Sequence, residues 1–380
     1  MKNLVKLLKK TVYRILSVST DMADIDVLKQ EMYLKHLGKP SDKIQRSYFQ
    51  YLCQIREMPL FTKIAINFVS MPVFFYWLIR CIKCERKENR VTNSAVFFDS
   101  GNSSVLPHVV KSRYSEITNV EKAKCLCCKK DRSFFVTKVW RRYPFSFYFL
   151  LKNMIKMTQY RYIIQRYHPQ AILVCNEYSF SSSFLTLFCS GNNVQHIDIM
   201  HGEKMFYIRD AFFSYDECVV WDEYYIELFS RLKAHNSKYT IVPLEVKEQP
   251  VLKIKYNYTY YLQSESRETL LEIAKQLRIL KDQGLIVAYR PHPIYENEDT
   301  AEIMKDFERE APCSVSIMDS ISQTRNVISR YSTVLYQAYL LDRKVVIDDL
   351  SRPDEYRNLK ELGYIMFSKP HTLFSKIINQ

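Results

Sequence analysis

Glycine is what this chain has least of: six in 380 residues, roughly 1.6% against a usual ~7%. They stand at positions 38, 101, 191, 202, 284 and 363, with no two within five residues of each other. Neither a GxGxxG fingerprint nor a GxxxxGK loop can be written from those positions, so a glycine-built dinucleotide site and a P-loop are excluded. A signal-peptide core is missing as well, because MKNLVKLLKKTVYRIL interleaves lysine with apolar residues. The ten cysteines are therefore expected as reduced thiols of a cytoplasmic protein. Acidic residues are absent from Arg132 to Asn176.

Charge is unevenly placed around that gap. The net charge is +14, yet residues 1–170 carry 31 Lys and Arg against 12 Asp and Glu, while the remaining 210 carry 24 against 29. All of the excess is N-terminal. Leu4, Leu7, Leu8, Val12, Ile15 and Leu16 share one helical face, with Lys2, Lys6, Lys9, Lys10 and Arg14 around the other, the pattern of a helix lying on an anionic membrane surface or docked on its own domain. Lys138, Arg141, Arg142, Lys152, Lys156, Arg161 and Arg166 mingle with Trp140, Tyr143, Phe145 and Phe147; this stretch suits anionic lipid headgroups or a polyanion, or is a solvated face beside a core stripe. Ile64–Ile79 is sixteen residues without a charge. It is shorter than the ~20 residues a span needs and holds Asn67, Ser70 and Pro72, which predicts a buried or interfacial helix.

The length is a prior for two or three domains, and 47% hydrophobic with 25% charged residues is an ordinary globular balance. Residues 1–90 read as a helical, basic, membrane-proximal extension. From residue 91 to 245 apolar runs alternate with helical patterns: Ser94–Asp99, Ala171–Cys175 leading to Asn176-Glu177, Val194–Met200 leading to His201-Gly202, and Cys218–Trp221 leading to a helix over Asp222–Lys233. A charged stretch with Pro243 and Pro250 reads as a linker. A second series fills 256–380. Ser264 is placed to cap a helix through Leu270, Ile273, Leu277 and Leu280, closed by Gly284. Leu285–Tyr289 then delivers Arg290-Pro291-His292-Pro293, Asn326–Ser329 delivers Arg330-Tyr331-Ser332-Thr333, and Lys344–Ile347 ends in Asp348-Asp349. Strands alternating with helices predict parallel sheets with ligand groups at the carboxyl ends of the strands.

His292 is held between two prolines after a predicted strand, and with Arg290 it offers hydrogen bonds and positive charge to a phosphate. Ser332 and Thr333 stand where a strand becomes a helix, either as a simple cap or as an anion site made without glycine. His201 or Glu203, around Gly202, is a candidate to take a proton from an attacking hydroxyl. Asp99 and Glu177, at two other strand ends, are candidates to hold acceptor hydroxyls. No metal site and no cofactor are expected. Asp24-Ile25-Asp26 is more simply a helix start. Cys81-x-x-Cys84 and Cys125-x-x-Cys128 have the spacing of a four-thiolate zinc site, but the first pair ends an apolar run without the turn residues of a zinc knuckle.

His201-Gly202, then RPHP at 290–293, then SRYSTVLYQAYLLDRKVVIDD at 329–349 resemble the bacterial GT-B transferases that include CDP-glycerol glycerophosphotransferases and the lipooligosaccharide and capsule sialyltransferases. The resemblance covers roughly residues 90–370. It implies two Rossmann-like α/β domains facing a cleft, donor-phosphate binding by His292, Ser332 and Thr333, and an essential His201. The acidic-acidic-glycine motif of sialyltransferases has no clear counterpart, the nearest being Asp282-Gln283-Gly284. The expected function is metal-independent transfer of a sugar from a nucleotide-activated donor to a lipid-linked or surface-polysaccharide acceptor, by a cytoplasmic enzyme peripheral on the inner face of the cell membrane. Transfer of glycerol phosphate or ribitol phosphate from a CDP-linked donor is the alternative on the same fold. A nucleic-acid partner is not expected, since no recognised binding motif is present.

Overall fold

The computed structural model describes residues 22–80, 92–99, 105–246, 253–293, 296 and 298–379. The chain divides into two compact units. One is Lys29–Glu245; the other combines the described parts of Met1–Leu28 and Val246–Gln380. The expected amphipathic helix at residues 2–16 lies outside the described residues, as do Cys81 and Cys84.

The first unit is built on six strands, β1 (Thr92–Phe97), β2 (Glu116–Asn119), β3 (Pro169–Val174), β4 (Gln195–Ile199), β5 (Glu217–Val220) and β6 (Lys238–Ile241), in the order β2-β1-β3-β4-β5-β6. Every pairing is parallel. Parallel neighbours need long crossovers, and helices such as Phe147–Tyr167 and Ser182–Ser190 supply them. Ala95, Phe97, Leu173, Ile197, Ile199 and Val219 pack into one core on the sheet. The strand order reverses between β1 and β3, so the chain leaves the sheet on opposite sides there and opens a crevice at the carboxyl ends.

The second unit repeats the plan with β7 (Tyr256–Tyr261), β8 (Val287–Arg290), β9 (Glu308–Arg309), β10 (Thr324–Ser329), β11 (Lys344–Ile347) and β12 (Thr372–Leu373), ordered β12-β11-β10-β7-β8-β9 and all parallel. Its switch point lies between β7 and β10. Leu270, Ile273 and Leu277 of the helix Arg267–Asp282 pack with Tyr260, Ile328 and Val346. That helix is capped by Ser266, which accepts from the Thr269 N–H, two residues later than the expected Ser264; Gly284, at φ +79°, follows its end. The two Rossmann-like α/β units expected of a GT-B chain are thus both present.

Residues 29–80 belong to the first unit rather than standing apart. Helix Lys43–Ile55 is capped by Asp42 and buries Ile44, Ser47, Gln50, Tyr51 and Cys53. Ser47 Oγ accepts the Phe184 amide at 2.8 Å, and Gln50 Nε2 donates to the Glu177 carbonyl at 2.7 Å. Asp26 immediately precedes helix Val27–Leu37, the helix start expected for Asp24-Ile25-Asp26. Residues 22–28 join the other unit, where Asn358 Nδ2 donates to the carbonyls of Met22 and Ile25.

The basic stretch 132–166 divides between surface and interior: Lys138, Arg141 and Arg166 are exposed, whereas others are drawn into the fold. Helix Phe147–Tyr167 is an interior element that buries Phe149, Met154, Met157, Tyr160, Ile163 and Ile164. Arg161 is itself buried, in a two-pronged pair with Asp131 at 2.6 and 2.7 Å and with a third bond to Asn192 Oδ1. Lys152 Nζ sits 4.2 Å from the centre of the Phe180 ring, and burial pushes its pKa down to about 8. On this helix Arg161 and Lys152 serve an internal pair and a ring face. Arg161→Ala would leave Asp131 buried and unpaired, and we expect it to cost about 3–5 kcal/mol in chemical denaturation; a loss under 1 kcal/mol would show the pair to be dispensable.

Among the described residues, Cys53, Cys125, Cys128, Cys175, Cys189, Cys218 and Cys313 are free thiols.

Candidate functional site

In the first unit the carboxyl ends of β1 and β3 flank the switch-point crevice. Asp99 follows β1, and Asn176 and Glu177 follow β3. Asn176 Nδ2 reaches Asp99 Oδ2 at 3.4 Å, its backbone N–H donates to Asp198 Oδ1 at 3.0 Å, and its carbonyl accepts from Tyr215 Oη at 2.8 Å. Asp99 is half-buried. Glu177 is not: it is fully buried and pairs with Lys204 Nζ at 3.1 Å. Its negative charge, with those of Asp210 and Asp198, raises the pKa of Lys204 against the opposing effect of burial. Glu177 therefore anchors the loop after β4 from beneath, which corrects its expected role as an acceptor-binding group.

That loop carries His201, Gly202 and Glu203. Gly202 sits at φ +68°, a left-handed conformation that a side chain would strain, and it turns the chain sharply after the strand. His201 is exposed on the outside of the turn. Glu203 points inward: Oε1 accepts from Tyr225 Oη at 3.0 Å and Oε2 is buried. Burial raises its pKa to about 8, against the lowering effects of the Tyr225 bond, the Lys204 amide and the Lys204 charge. Glu203 is thus held mainly protonated at neutral pH, half-buried beside Tyr225. Of the two, the His201 imidazole is exposed and the Glu203 carboxyl is half-buried.

The Glu203 carboxyl binds a proton in the folded state that an unfolded carboxyl, at 4.5, has released. A raised folded pKa stabilises the fold fully below pH 4.5, and that contribution is lost as pH climbs towards about 8. Glu203→Gln, which cannot ionise, is expected to hold its melting temperature across that window while the wild type declines. Parallel declines in both proteins would show that Glu203 does not carry the effect.

In the second unit β7 is flanked by β8 and β10. Because all three run the same way, the segments after β8 and β10 emerge on one edge, two strand spacings or about 10 Å apart. His292 follows β8, half-buried, and burial lowers its pKa, which favours the neutral imidazole. Ser332 and Thr333 follow β10. Ser332 caps the helix Thr333–Leu340, its Oγ accepting from the Val334 N–H at 3.2 Å. Tyr364 Oη clamps the same residue, accepting from its N–H at 3.1 Å and donating to its carbonyl at 2.9 Å. The cap uses a lone pair of the Ser332 hydroxyl and leaves its proton for another acceptor.

Arg290 does not join them. Its guanidinium is buried, paired with Glu310 at 3.4 Å and donating to the Val315 carbonyl at 2.8 Å, so it is a tie within the fold and not a phosphate ligand. Arg330 has a similar place: it pairs with both Glu265 and Glu355, all three buried, and so fixes the segment that presents Ser332.

The sequence reading missed Lys156 and Asn176 in the first crevice. Lys156 Nζ lies 5.5 Å from the centre of the Phe98 ring; burial lowers its pKa while Asp99 opposes the shift. The signal was the four-residue step from Lys152 to Lys156, which places both on one face of a helix that proves to be interior.

No protein-family model matches the sequence, and no curated protein matches it. Solved structures do. The wall teichoic acid polymerase TagF is 10% identical with a TM-score of 0.42, over 84% of this chain and 87% of that one. The UDP-GlcNAc 2-epimerase of Methanocaldococcus jannaschii, in complex with UDP-GlcNAc and UDP, is 12% identical with a TM-score of 0.44, over 75% and 90%. TarM is 11% identical with a TM-score of 0.39; the match takes in 60% of this chain and spans about half, 52%, of TarM.

Proposed function

We propose that this chain is a glycosyltransferase that moves a sugar from a nucleotide-activated donor to a lipid-linked or surface-polysaccharide acceptor. The observation that supports this most is the arrangement in the second unit. His292 and the Ser332/Thr333 pair stand on one edge of a parallel sheet, on either side of β7, with the amino end of an eight-residue helix between two hydroxyl-bearing side chains and the switch point.

In the transfer, the acceptor hydroxyl oxygen bonds to the anomeric carbon of the donor, and the bond from that carbon to the phosphate oxygen breaks. The electron pair leaves with the nucleotide phosphate. His201 takes the hydroxyl proton. The charge growing on the departing phosphate is met by a neutral imidazole N–H of His292, the Ser332 and Thr333 hydroxyls and the helix's positive end. These groups supply by hydrogen bonding and dipole what a divalent cation supplies elsewhere, so the reaction is expected to run in EDTA.

The test is product analysis by mass spectrometry after incubation with CMP-, CDP-, UDP- and GDP-linked donors in EDTA. A sugar added to the acceptor supports the proposal. A product heavier by glycerol phosphate or ribitol phosphate would move the chain to the alternative reaction, and strict dependence on Mg²⁺ or Mn²⁺ would overturn the metal-independent step.

A further inference from the structure

Helix Leu60–Arg80 has two apolar faces with different fates. One is packed: Ser70 and Phe74 are buried, and Phe74 meets the rings of Trp140 and Phe147. Asn67 locks this side, its Nδ2 donating to the Phe145 carbonyl at 2.6 Å and its Oδ1 accepting from the Tyr148 N–H at 3.1 Å. The other face is bare. Phe61, Phe68 and Ile79 are 82, 70 and 79% exposed, with Ile64, Val69 and Tyr76 also exposed between them. Phe61, Ile64, Phe68, the exposed Pro72, Tyr76 and Ile79 recur every three or four residues, so they form one stripe along the helix, which at 1.5 Å per residue is about 31 Å long. Phe145, 80% exposed and joined to Asn67 through its carbonyl, widens it.

We propose that this stripe docks into the surface of an anionic lipid bilayer, with the helix lying in the membrane plane. An unbroken apolar stripe on a convex helix, uncharged from Ile64 to Ile79, matches acyl chains better than it matches a polar-rimmed protein groove. Cations stand beside it: exposed Lys138 and Arg141 flank Trp140, whose ring packs on Phe74 and Phe75. The first 170 residues carry 31 basic against 12 acidic side chains, a sign that draws anionic headgroups. By length and composition Leu60–Ile79 could cross a bilayer. Crossing would strip the Asn67 bonds and the Phe74 packing, whereas in-plane insertion to a depth of ~5–10 Å leaves them whole. Docking is independent of the transferase chemistry and requires no donor.

The experiment is flotation of the full chain with vesicles of phosphatidylcholine and phosphatidylglycerol, against vesicles of phosphatidylcholine alone. The wild type is expected to float with the anionic vesicles, less so in high salt, and to exchange readily onto fresh vesicles. The triple substitution Phe61→Ser, Ile64→Ser, Phe68→Ser changes only exposed side chains and is expected to keep its melting temperature while its partition coefficient falls at least ~100-fold. A folded triple variant that floats as well as the wild type overturns the proposal, as does a wild type that never floats. Protein that stays irreversibly on its first vesicles contradicts the in-plane geometry. A lipid-free dimer that the same substitutions dissolve would give the stripe to a second copy instead.

Discussion

His201→Ala is expected to lower kcat about 10²–10⁴-fold while donor affinity stays nearly unchanged. A general base acts on the proton that moves in the transition state and contributes little to ground-state binding. The geometry concentrates that role on one side chain. His201 is exposed beyond β4, on a turn that Gly202 makes at φ +68°, whereas Glu203, two residues on, has one carboxyl oxygen buried and the other bonded to Tyr225. Glu203→Gln keeps the shape and the Tyr225 contact, so its kcat should stay within a few-fold of wild type. The opposite pattern, a large loss in Glu203→Gln and a small one in His201→Ala, would transfer the base to the carboxylate. A rate that rises with pH through about 8, the Glu203 value, would say the same.

The second large effect is on binding. His292→Ala should weaken donor affinity roughly 10- to 150-fold, the equivalent of the ~1.5–3 kcal/mol that a hydrogen bond to a charged group contributes. Burial favours the neutral His292 imidazole, so it is expected to bind phosphate as a hydrogen-bond donor rather than as a cation, and the loss should vary little with salt. Arg290→Ala is the contrasting variant. Its guanidinium is tied to Glu310 and Val315, so its removal should lower stability before it touches affinity. Unchanged nucleotide affinity in folded His292→Ala would remove the imidazole from the phosphate site.

Much of this was legible before any coordinates. The apolar runs at 94–99, 171–175, 194–200, 218–221, 285–289 and 326–329 each fall on a strand of a parallel sheet, displaced by at most two residues at most ends, because strands buried on both faces are written in unbroken Val, Ile, Leu and Phe. β7 was not legible. Its sequence, YNYTYY, is polar on paper, and only the fold shows that Tyr260 Oη donates to Asp348, that Tyr261 Oη bonds Ser320, and that Thr259 pairs with Thr324. Missing the central strand also hid the switch point, and with it the reason His292 and Ser332 share an edge.

Charged residues misled in a consistent direction. Glu177, Arg290 and Arg161 each looked available because Glu and Arg are seldom fully buried unless paired; their partners, Lys204, Glu310 and Asp131, lie 27, 20 and 30 residues away in sequence, beyond any local pattern. The run Ile64–Ile79 was read as either buried or interfacial, and it proves to be packed on one face and bare on the other, a division that depends on where helix Phe147–Tyr167 lies. Polarity and spacing locate strand ends well; which charges meet a ligand and which meet each other is decided by tertiary partners.

The measurement that bears most directly on the central claim is a thermal-shift panel of CMP-, CDP-, UDP- and GDP-linked ligands on the wild type and on His292→Ala. A ligand at 100 times its dissociation constant should add ~2.7 kcal/mol of stability. One nucleotide class raising the melting temperature of the wild type, with the shift largely lost in His292→Ala, is the predicted result. No shift with any of the four, or a shift of equal size in His292→Ala, would contradict the donor site proposed at His292, Ser332 and Thr333.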